Sequence, residues 1–383
     1  MASGAILFAL VHCPARSATL SVGPGQQITS IARAARLAQD GDIVEIAAGT
    51  YAGDVAVWLQ KSLTIRGLGA GPVLDAAGMS AEDKAIWVFR DGHFTIENIE
   101  FRNARVPAGN GAGIRFEHGH LTVSACVFRD NQMGILTSND GRSELSIRDS
   151  QFIDAPKQES PLPHLIYVGR IARFEMQGTR IAGGHWGHLV KSRARVSDLR
   201  YNLIADPPDG SASYELDFPN GGDVTLIGNL IGQSASSENR TLVSFGAEGG
   251  QGRTHRLRMA FNTLVSEGFM PGTFWQIWRN RLGTAPTVAV HNNLLVGVGL
   301  AEHHPDNVES GNHYHPLPAN RLMDWNSGNL CAPGADPRLA TPAGTDLLPR
   351  RAFAWPRGSS ALPPTLSPVA GALPCGTTPQ AAP

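Results

Sequence analysis

The 383-residue chain is predicted to be all-β: a right-handed parallel β-helix, or solenoid, with an N-terminal capping helix and an irregular C-terminal tail. Three observations predict this fold. A strand-like block recurs about every thirty residues, a second set of short strands lies between its copies, and an asparagine holds the same place in four copies. A regular period of this size indicates one small unit stacked on itself.

The first block extends from about residue 94 to residue 296 and alternates apolar with polar residues, as half-buried strands do. Its copies are FTIENIEF from Phe94, LTVSACVF from Leu121, LSIRDSQF from Leu145, FEMQGTRI from Phe174, SDLRYNLI from Ser197, VTLIGNLI from Val224, LRMAFNTL from Leu257 and VAVHNNLL from Val288. The spacing varies by several residues. We therefore expect strands in register, with loops of different length on one face that can bind a ligand.

A second set of strand-like runs falls between these copies. It comprises AIWVF near Ala85, AGIRF near Ala112, MGILTS near Met133, HLIYV near His164, HLVKSR near His188, YELDF near Tyr214, LVSFG near Leu242 and FWQIW near Phe274. Two or three short strands in a turn of about 27 residues suit a parallel β-helix, because each coil then supplies the right-handed crossover that parallel strands need.

The asparagines that recur in four successive copies are Asn202, Asn229, Asn262 and Asn293. A buried turn asparagine can bond backbone groups above and below it, and it tolerates the left-handed conformation. We therefore expect the four side chains to align into a ladder. The alternative is four unrelated turn asparagines.

The N-terminal region fits the same fold. Residues Ile28 to Ala38 form a predicted amphipathic helix, and the strand IVEIAAGTY after Asp42 ends in a turn at Gly49. The open edge of a first coil would pair with other chains if nothing covered it. We expect the helix to cap that edge.

The predicted helix, the stretch GDIVEIAAGTY, the run LTIRGLG from Leu63 and the strand repeats resemble the pectate-lyase-like superfamily of parallel β-helix proteins. The resemblance covers most of residues 20–300. It implies the fold more strongly than an activity, since the superfamily includes lyases, hydrolases, epimerases, esterases and non-catalytic adhesins. No catalytic pattern assigns one specific family.

The chain is expected to have three parts. Residues 1–18 are a predicted signal peptide without the usual basic start, and the alternative is an ordinary frayed N-terminus. Residues 19–312 form the β-helix domain, and the Pro-rich residues 313–383 form an irregular tail packed on the helix or partly disordered. The protein is then periplasmic or secreted.

Composition narrows the partners. The formal net charge of −1 does not mark a nucleic-acid binder, and no apolar run approaches the ~18 residues of a membrane span. We therefore expect neither nucleic acid nor a membrane span. A β-helix of this size can work as a monomer, and we expect a monomer here. Cys126 occupies a core-strand position and is expected to be buried, whereas Cys13 would leave with a signal peptide. Cys331 and Cys375 bracket the tail, and a disulfide between them is plausible in an oxidising compartment.

Charge is concentrated in two adjacent coils. The first coil carries basic residues and histidines, which are His164, Arg170, Arg173, Arg180, His185, His188, Lys191, Arg193 and Arg195. The second carries acidic residues, which are Asp206, Asp209, Glu215, Asp217 and Asp223. Neighbouring coils lie ~4.8 Å apart, so a cationic coil rests on an anionic one, and we expect the ligand site there.

Strand alternation places some of these side chains together. In YELDF, Leu216 and Phe218 are expected to point inward, so that Glu215 and Asp217 point outward. The same alternation puts Tyr167, Lys191 and Asp217 near one another on the outer face of one sheet. A shift of one residue in register would bury each of them instead.

This arrangement suits β-elimination at a uronic acid, which needs a neutralised carboxylate, a base for the C5 proton and an acid for the leaving oxygen. The resemblance implies a Lys or Arg base, sometimes beside Ca²⁺. We expect Lys191 to be the base and Arg193 to neutralise the carboxylate. His188, His185 or Tyr167 would be the acid.

The remaining candidates assist these groups. Glu215 and Asp217 would hold Ca²⁺ or orient Lys191. His164, Asn220 and Glu248 are expected to bind substrate, and Trp275 is expected to stack on a sugar ring or else to lie in the core.

Other functions stay open at this point. Each Lys–Asp contact could be a plain cross-strand ion pair. A uronate epimerase would share the proton-abstraction step, a glycoside hydrolase would need two carboxylates across the bond, and a non-catalytic β-helix could simply hold or shield an acidic glycan. A polysaccharide lyase acting on an acidic, uronate-containing glycan is the leading hypothesis.

Overall fold

The computed structural model describes residues 17–157, 163–237, 239–250, 252–316, 344–364 and 368–372. Over this range the chain forms a solenoid in which successive coils pair in parallel, as a parallel β-helix does. From residue 56 onward, each described coil contributes one short strand to each of three sheets. The predicted all-β solenoid is therefore confirmed.

The three sheets are called the site sheet, the middle sheet and the ladder sheet. The site sheet contains β4 (Ala56–Trp58), the first part of β7 (Ala85–Glu97), the first part of β9 (Ala112–Ser124), β11 (Met133–Thr137), β14 (Ile166–Val168), β17 (Val190–Ser192), β20 (Leu216–Phe218), β23 (Thr241–Phe245), β26 (Gly272–Ile277) and β29 (Gly299–Ala301). Because β7 and β9 continue into the middle sheet, the two sheets are joined.

The middle and ladder sheets follow in each coil. The middle sheet contains β1 (Thr19–Val22), β2 (Ile43–Ile46), β5 (Ser62–Gly67), the second parts of β7 and β9, β12 (Glu144–Arg148), β15 (Arg173–Gln177), β18 (Val196–Arg200), β21 (Asp223–Ile227), β24 (Arg256–Ala260), β27 (Thr287–His291) and β30 (Val308–Ser310). The ladder sheet contains β3 (Gly49–Ala52), β6 (Pro72–Asp75), β8 (Glu100–Arg102), β10 (Val127–Arg129), β13 (Gln151–Ile153), β16 (Arg180–Ala182), β19 (Leu203–Ala205), β22 (Leu230–Gln233), β25 (Thr263–Ser266), β28 (Leu294–Gly297) and β31 (His313–His315).

Stacked apolar side chains fill the interior. Phe101, Phe128 and Phe152 come from one position in successive coils of the ladder sheet, and their rings stack at centroid distances of 5.0 and 4.5 Å. Parallel strands in register bring like residues into contact from coil to coil, which is why the apolar half of each repeat forms one continuous core. Cys126 is part of this core, as predicted, and burial raises the pKa of its thiol to about 12.

The asparagine ladder is confirmed. At the turn between the middle and ladder sheets, the side-chain oxygen of Asn229 accepts hydrogen bonds from the backbone and side-chain nitrogens of Asn202, at 3.0 and 2.9 Å. The pattern repeats from Asn229 to Asn262 and from Asn262 to Asn293. It continues one coil further than predicted, to Asn312.

A short helix, α1 (Ile31–Leu37), lies within the predicted segment. The Ser30 hydroxyl accepts a hydrogen bond from the Arg33 backbone N–H at 3.3 Å, and the carboxylate of Asp54 accepts the N–H groups of Ile31 and Ala32 at 2.6 and 2.9 Å. These acceptors satisfy the free donors of the first turn. The helix follows β1, which pairs with β2, so its role as a cap stays a prediction.

The described part of the tail contains the hairpin formed by β32 (Arg351–Phe353) and β33 (Ser359–Ala361). Phe353 packs on an apolar cluster with Leu203 and Leu230 of the ladder sheet. The predicted signal peptide and the predicted Cys331–Cys375 disulfide lie outside the described residues, apart from positions 17 and 18. No described helix is long and apolar enough to cross a membrane.

Candidate functional site

The expected row on the site sheet is present. Tyr167 of β14 pairs with Lys191 of β17, and Lys191 pairs with Asp217 of β20. Their strand neighbours Ile166 and Leu216 fill the core. Alternation therefore turns the three side chains away from the core, and the predicted register is confirmed.

Glu248 reaches this row from the turn after the next strand of the site sheet. Its turn, residues 246–250, follows β23. One carboxylate oxygen lies 2.9 Å from Lys191 Nζ, and the other lies 2.7 Å from Arg193 Nη1. The Lys191 ammonium also lies 3.4 Å from Asp217 Oδ2. A carboxylate thus bridges a lysine and an arginine at the surface of the site sheet.

Arg193 is held in place by two further contacts. Its Nε donates to the Tyr167 hydroxyl at 2.9 Å, and its Nη1 donates to the Asn220 side-chain oxygen at 2.8 Å. The amide nitrogen of Asn220 donates in turn to the Gly249 carbonyl at 2.7 Å. Asn220 therefore links the arginine to the turn that carries Glu248. A guanidinium fixed on several sides is well suited to binding a carboxylate.

Two predicted histidines lie beside this cluster in a ring stack. His164 and His188 stack at 4.7 Å between centroids, and His188 contacts the Tyr214 ring at 4.9 Å. The His188 backbone N–H donates to His164 Nδ1 at 2.9 Å. Burial and the charge of Lys191 lower the pKa of His188 to about 3. The ring is therefore neutral at neutral pH, and its contact with Asp217 at 3.5 Å is not an ion pair.

The two carboxyl groups of the cluster differ in pKa. Burial raises the pKa of Asp217 to about 6, against the attraction of Lys191. Partial burial also opposes ionisation of Glu248, but hydrogen bonds from Arg193 and Lys191 outweigh it and lower the pKa of Glu248 to about 2. Glu248 is therefore a carboxylate at every pH of practical interest.

A groove of about 890 Å³ opens beside Glu248. Its lining residues are Arg170, Asn220, Ala247, Glu248, Gly249, Gly250, Arg253 and Arg281. In the part of the chain that the structure describes, no carboxylate lies within ion-pair distance of the three arginines Arg170, Arg253 and Arg281. The Arg253 Nη1 donates instead to the carbonyls of Arg193 and Ala194, at 3.1 and 3.4 Å. The groove thus has an excess of positive charge.

Sequence reasoning missed Arg253 and Arg281. Both lie in the longer intervals between strands, where the repeat gives no register, and neither belongs to the basic run that drew attention to Arg193. The available signal was the length of those intervals, because a long connection between two short strands can form a wall of a groove.

Glu215 is not where it was predicted. It is completely buried, its Oε2 accepts from Gln233 Nε2 at 3.0 Å, and no partner of its Oε1 is found within the described structure. Burial first, and then the nearby Asp206, raise the pKa of Glu215 well above its usual value. Glu215 precedes β20, so the alternation of that three-residue strand does not extend to it.

The predicted calcium pair is therefore not formed. Glu215 faces Gln233, whereas Asp217 contacts Lys191 and His188. Within the described ranges, no group of three or more His, Cys, Asp or Glu side chains is arranged to hold a metal ion. An ammonium group in contact with Asp217 also disfavours a second cation there.

Two other predicted residues lie apart from the cluster. Trp275 is only 1 % exposed and belongs to the core, and its indole N–H donates to the Glu302 carbonyl at 3.0 Å, so it is not a sugar-stacking platform. Alternation along β26 turns it inward. His185 contacts the Ser211 hydroxyl at 3.2 Å and makes no contact with Lys191 or Arg193.

No protein-family model and no curated protein sequence matches the chain. Two solved structures are similar to it in fold. The pectate lyase Pel9A has a TM-score of 0.62 at 11 % identity, over 94 % of this chain and 96 % of that one. An alginate lyase from Paenibacillus sp. str. FPU-7 has a TM-score of 0.51 at 14 % identity, over 77 % of this chain and 99 % of that one. The chain therefore shares the parallel β-helix fold of these two structures, and at these identities the likeness is one of fold alone.

Proposed function

We propose that the protein is a polysaccharide lyase that cleaves an acidic, uronate-containing glycan by β-elimination. The observation that carries this proposal is the Glu248 carboxylate held between Lys191 and Arg193 at 2.9 and 2.7 Å. A lysine and an arginine that together bind a carboxylate of the protein can also bind the carboxylate of a uronate. The arginine-lined groove beside it would accommodate the rest of an anionic chain.

The proposed chemistry divides into three roles. Arg193 neutralises the substrate carboxylate, which makes the C5 proton more acidic. Lys191 is an ammonium in its ion pairs and must first release a proton to solvent. Its amine then takes the C5 proton as the C4–C5 double bond forms and the bond to the leaving oxygen breaks. Tyr167 is the candidate acid for the leaving oxygen, because its hydroxyl accepts from Arg193 and keeps its own hydrogen for another partner. His188 is neutral and buried, which makes it a positioning residue for Asp217.

The alternatives differ in what they require. A hydrolase needs two carboxylates that reach the scissile bond. Asp217, however, is only 2 % exposed, and among the described residues that line the groove Glu248 is the one acidic residue. A uronate epimerase would use the same base and arginine, and would differ only in returning a proton to C5. A non-catalytic role would leave the groove as an anion-binding surface. The two similar solved structures are named as lyases, of pectate and of alginate.

The first test is to incubate the purified protein with a panel of acidic polysaccharides and to follow the ultraviolet absorbance of the unsaturated product. We expect activity on at least one uronate glycan and a rate at least about 100-fold lower in Lys191→Gln, because an amide occupies a similar space but cannot accept the proton. Thermal unfolding should show that the variant is folded.

Two outcomes would contradict the proposal. Full activity in Lys191→Gln would exclude Lys191 as the base, and no unsaturated product from any glycan in the panel would exclude a lyase. Reducing-end, epimerisation and binding assays on the same panel then separate the other three functions. A requirement for Ca²⁺ and the export of the protein stay predictions, and a chelator in the same assay tests the first.

A further inference from the structure

Glu248 closes the Lys191–Arg193 pair on the side of the groove. Its side chain is 46 % exposed, whereas those of Lys191 and Arg193 are 11 and 14 % exposed. The carboxylate therefore covers the two bases and stands between them and the solvent. In the free protein, a substrate carboxylate cannot reach both bases while Glu248 is in this position.

The backbone under Glu248 is held firmly. The Glu248 N–H donates to the Pro219 carbonyl at 2.8 Å, and the carbonyls on either side, those of Ala247 and Gly249, accept from Arg281 at 2.6 Å and from Asn220 at 2.7 Å. The side chain itself has three rotatable bonds, and its contacts are with Lys191 and Arg193. The carboxylate can thus swing into the groove without any movement of the turn.

Charge balance allows either Glu248 or a substrate carboxylate, but not both, to occupy this position. With Glu248 in place, two cations, Lys191 and Arg193, face two carboxylates, Glu248 and Asp217. A third carboxylate at this position would be an uncompensated, partly buried negative charge, which is costly. The substrate group and Glu248 therefore exclude each other.

We propose that Glu248 is an internal competitor for the substrate's carboxylate, and that it selects multiply charged oligosaccharides over single uronates. A side chain tethered beside its partners has an effective concentration of the order of millimolar or more, so one free uronate displaces it poorly. An oligosaccharide gains further contacts with Arg170, Arg253 and Arg281 along the groove and can displace it. This inference rests on the proposed function, because it takes the groove as the site of an acidic glycan.

The test is a binding titration of the wild type and of Glu248→Gln with glucuronate and with a short oligouronate. It is run in roughly 0.5 M salt, where general electrostatic attraction is screened within a few ångströms. We expect the wild type to bind the oligomer and to bind glucuronate weakly. In Glu248→Gln the affinity for glucuronate should rise about tenfold, as expected from the removal of a competing charge-assisted contact, and the preference for the oligomer should shrink.

Three controls locate the effect. Glu175→Gln removes one negative charge from the adjacent middle sheet, where Glu175 pairs with Arg173 at 3.1 Å and is 42 % exposed, and should change neither affinity. The double variant Glu248→Gln, Arg193→Gln should lose the gain. Glu248→Asp keeps the charge on a shorter side chain and should give a smaller gain, which keeps the test open if Glu248→Gln folds poorly.

The outcomes separate the two proposals. Glucuronate affinity that is unchanged or lower in both Glu248→Gln and Glu248→Asp would overturn the internal competitor and make Glu248 a structural or substrate-binding residue. If Glu248→Gln gains affinity but the wild type yields no unsaturated product from any glycan, the competitor stands and the lyase fails. If the wild type yields an unsaturated product but Glu248→Gln gains no affinity for glucuronate, the lyase proposal stands and the internal competitor is excluded.

Discussion

Two corners of each coil differ in how regularly their residues recur from one coil to the next. At the corner between the middle and ladder sheets, an asparagine recurs from Asn202 to Asn312 and each one bonds the next. The corner between the site and middle sheets shows no such asparagine ladder in the described coils, and the connection there grows from residues 193–195 in one coil to residues 246–255 two coils later. A neutral amide can stack on itself because it is both donor and acceptor, whereas like charges cannot.

The difference teaches where a solenoid can carry chemistry. The ladder corner repeats one residue type, so it adds stability and can bind little. The site sheet, which leads into the other corner, places Tyr167, Lys191 and Asp217 on successive strands. Each coil there contributes a different functional group. The unequal loops then supply a groove wall. Three substitutions test this contrast.

The largest expected effect is at the ladder corner. Asn262→Ala removes the acceptor of the Asn229 N–H and the donor to the Leu226 carbonyl, both buried. Leaving these groups unpaired should lower the free energy of unfolding by roughly 2–5 kcal/mol. Chemical denaturation measures this. Asn312→Ala, at the partly exposed end of the ladder, should cost clearly less because water can replace its bonds. Equal losses at both positions would contradict a continuous ladder.

An intermediate effect is expected at Glu215, one residue from the site strand. Burial raises the pKa of this carboxyl in the folded state. Above the unfolded pKa of about 4, the unfolded chain releases the proton while the folded chain retains it, so this group lowers stability as pH rises from about 4 toward the folded pKa. Glu215→Gln should therefore be more stable than the wild type at pH 8 and similar to it at pH 4.

Denaturant unfolding at the two pH values checks this expectation. Asp209→Asn, which changes an exposed carboxylate of the same coil, is the control and should show no pH-dependent gain. A Glu215→Gln variant that is less stable than the wild type at pH 8 would show that the carboxyl contributes as a charge.

The smallest effect is expected at the groove wall. Arg281 is exposed, and its guanidinium lies 4.5 Å from the centroid of the Trp278 ring. Arg281→Ala should change the unfolding free energy by no more than about 0.5 kcal/mol. It should weaken the binding of an acidic oligosaccharide up to about fivefold, which corresponds to one exposed ion pair. Arg36→Ala, an equal charge change on α1, should leave binding unchanged, and a similar loss there would make the effect one of net charge.

The ladder and the register could be predicted because both follow from periodicity. Asn262 and Lys191 lie at fixed positions in a repeat, and alternation then decides which side each faces. Glu215 was misplaced, and the position of Trp275 was left open, for a different reason. Glu215 lies just before a three-residue strand, and the orientation of Trp275 depends on the bounds of β26, neither of which the repeat determines.

Contacts made by long loops could not be predicted from the sequence. The bridge from Glu248 to Lys191 and Arg193 joins two coils through a ten-residue connection, residues 246–255, whose path no pattern specifies. The shift in pKa of Glu248 depends on that bridge. The sequence could therefore predict the neighbourhood of the site but not the state of its charges.

The tail hairpin gives the solenoid a mechanical property that its coils do not have. Coils of a solenoid contact only their neighbours, so each end can peel away one coil at a time. The tail contacts several coils at once. Arg357 donates a hydrogen bond to the Ala125 carbonyl, and the Gly358 N–H donates to the Gly178 carbonyl. The Arg350 N–H donates to the Tyr201 hydroxyl. The tail thus connects the coil of Ala125 to the coils of Gly178 and Tyr201, which that coil does not contact, so the loss of one coil also strains coils that are not its neighbours.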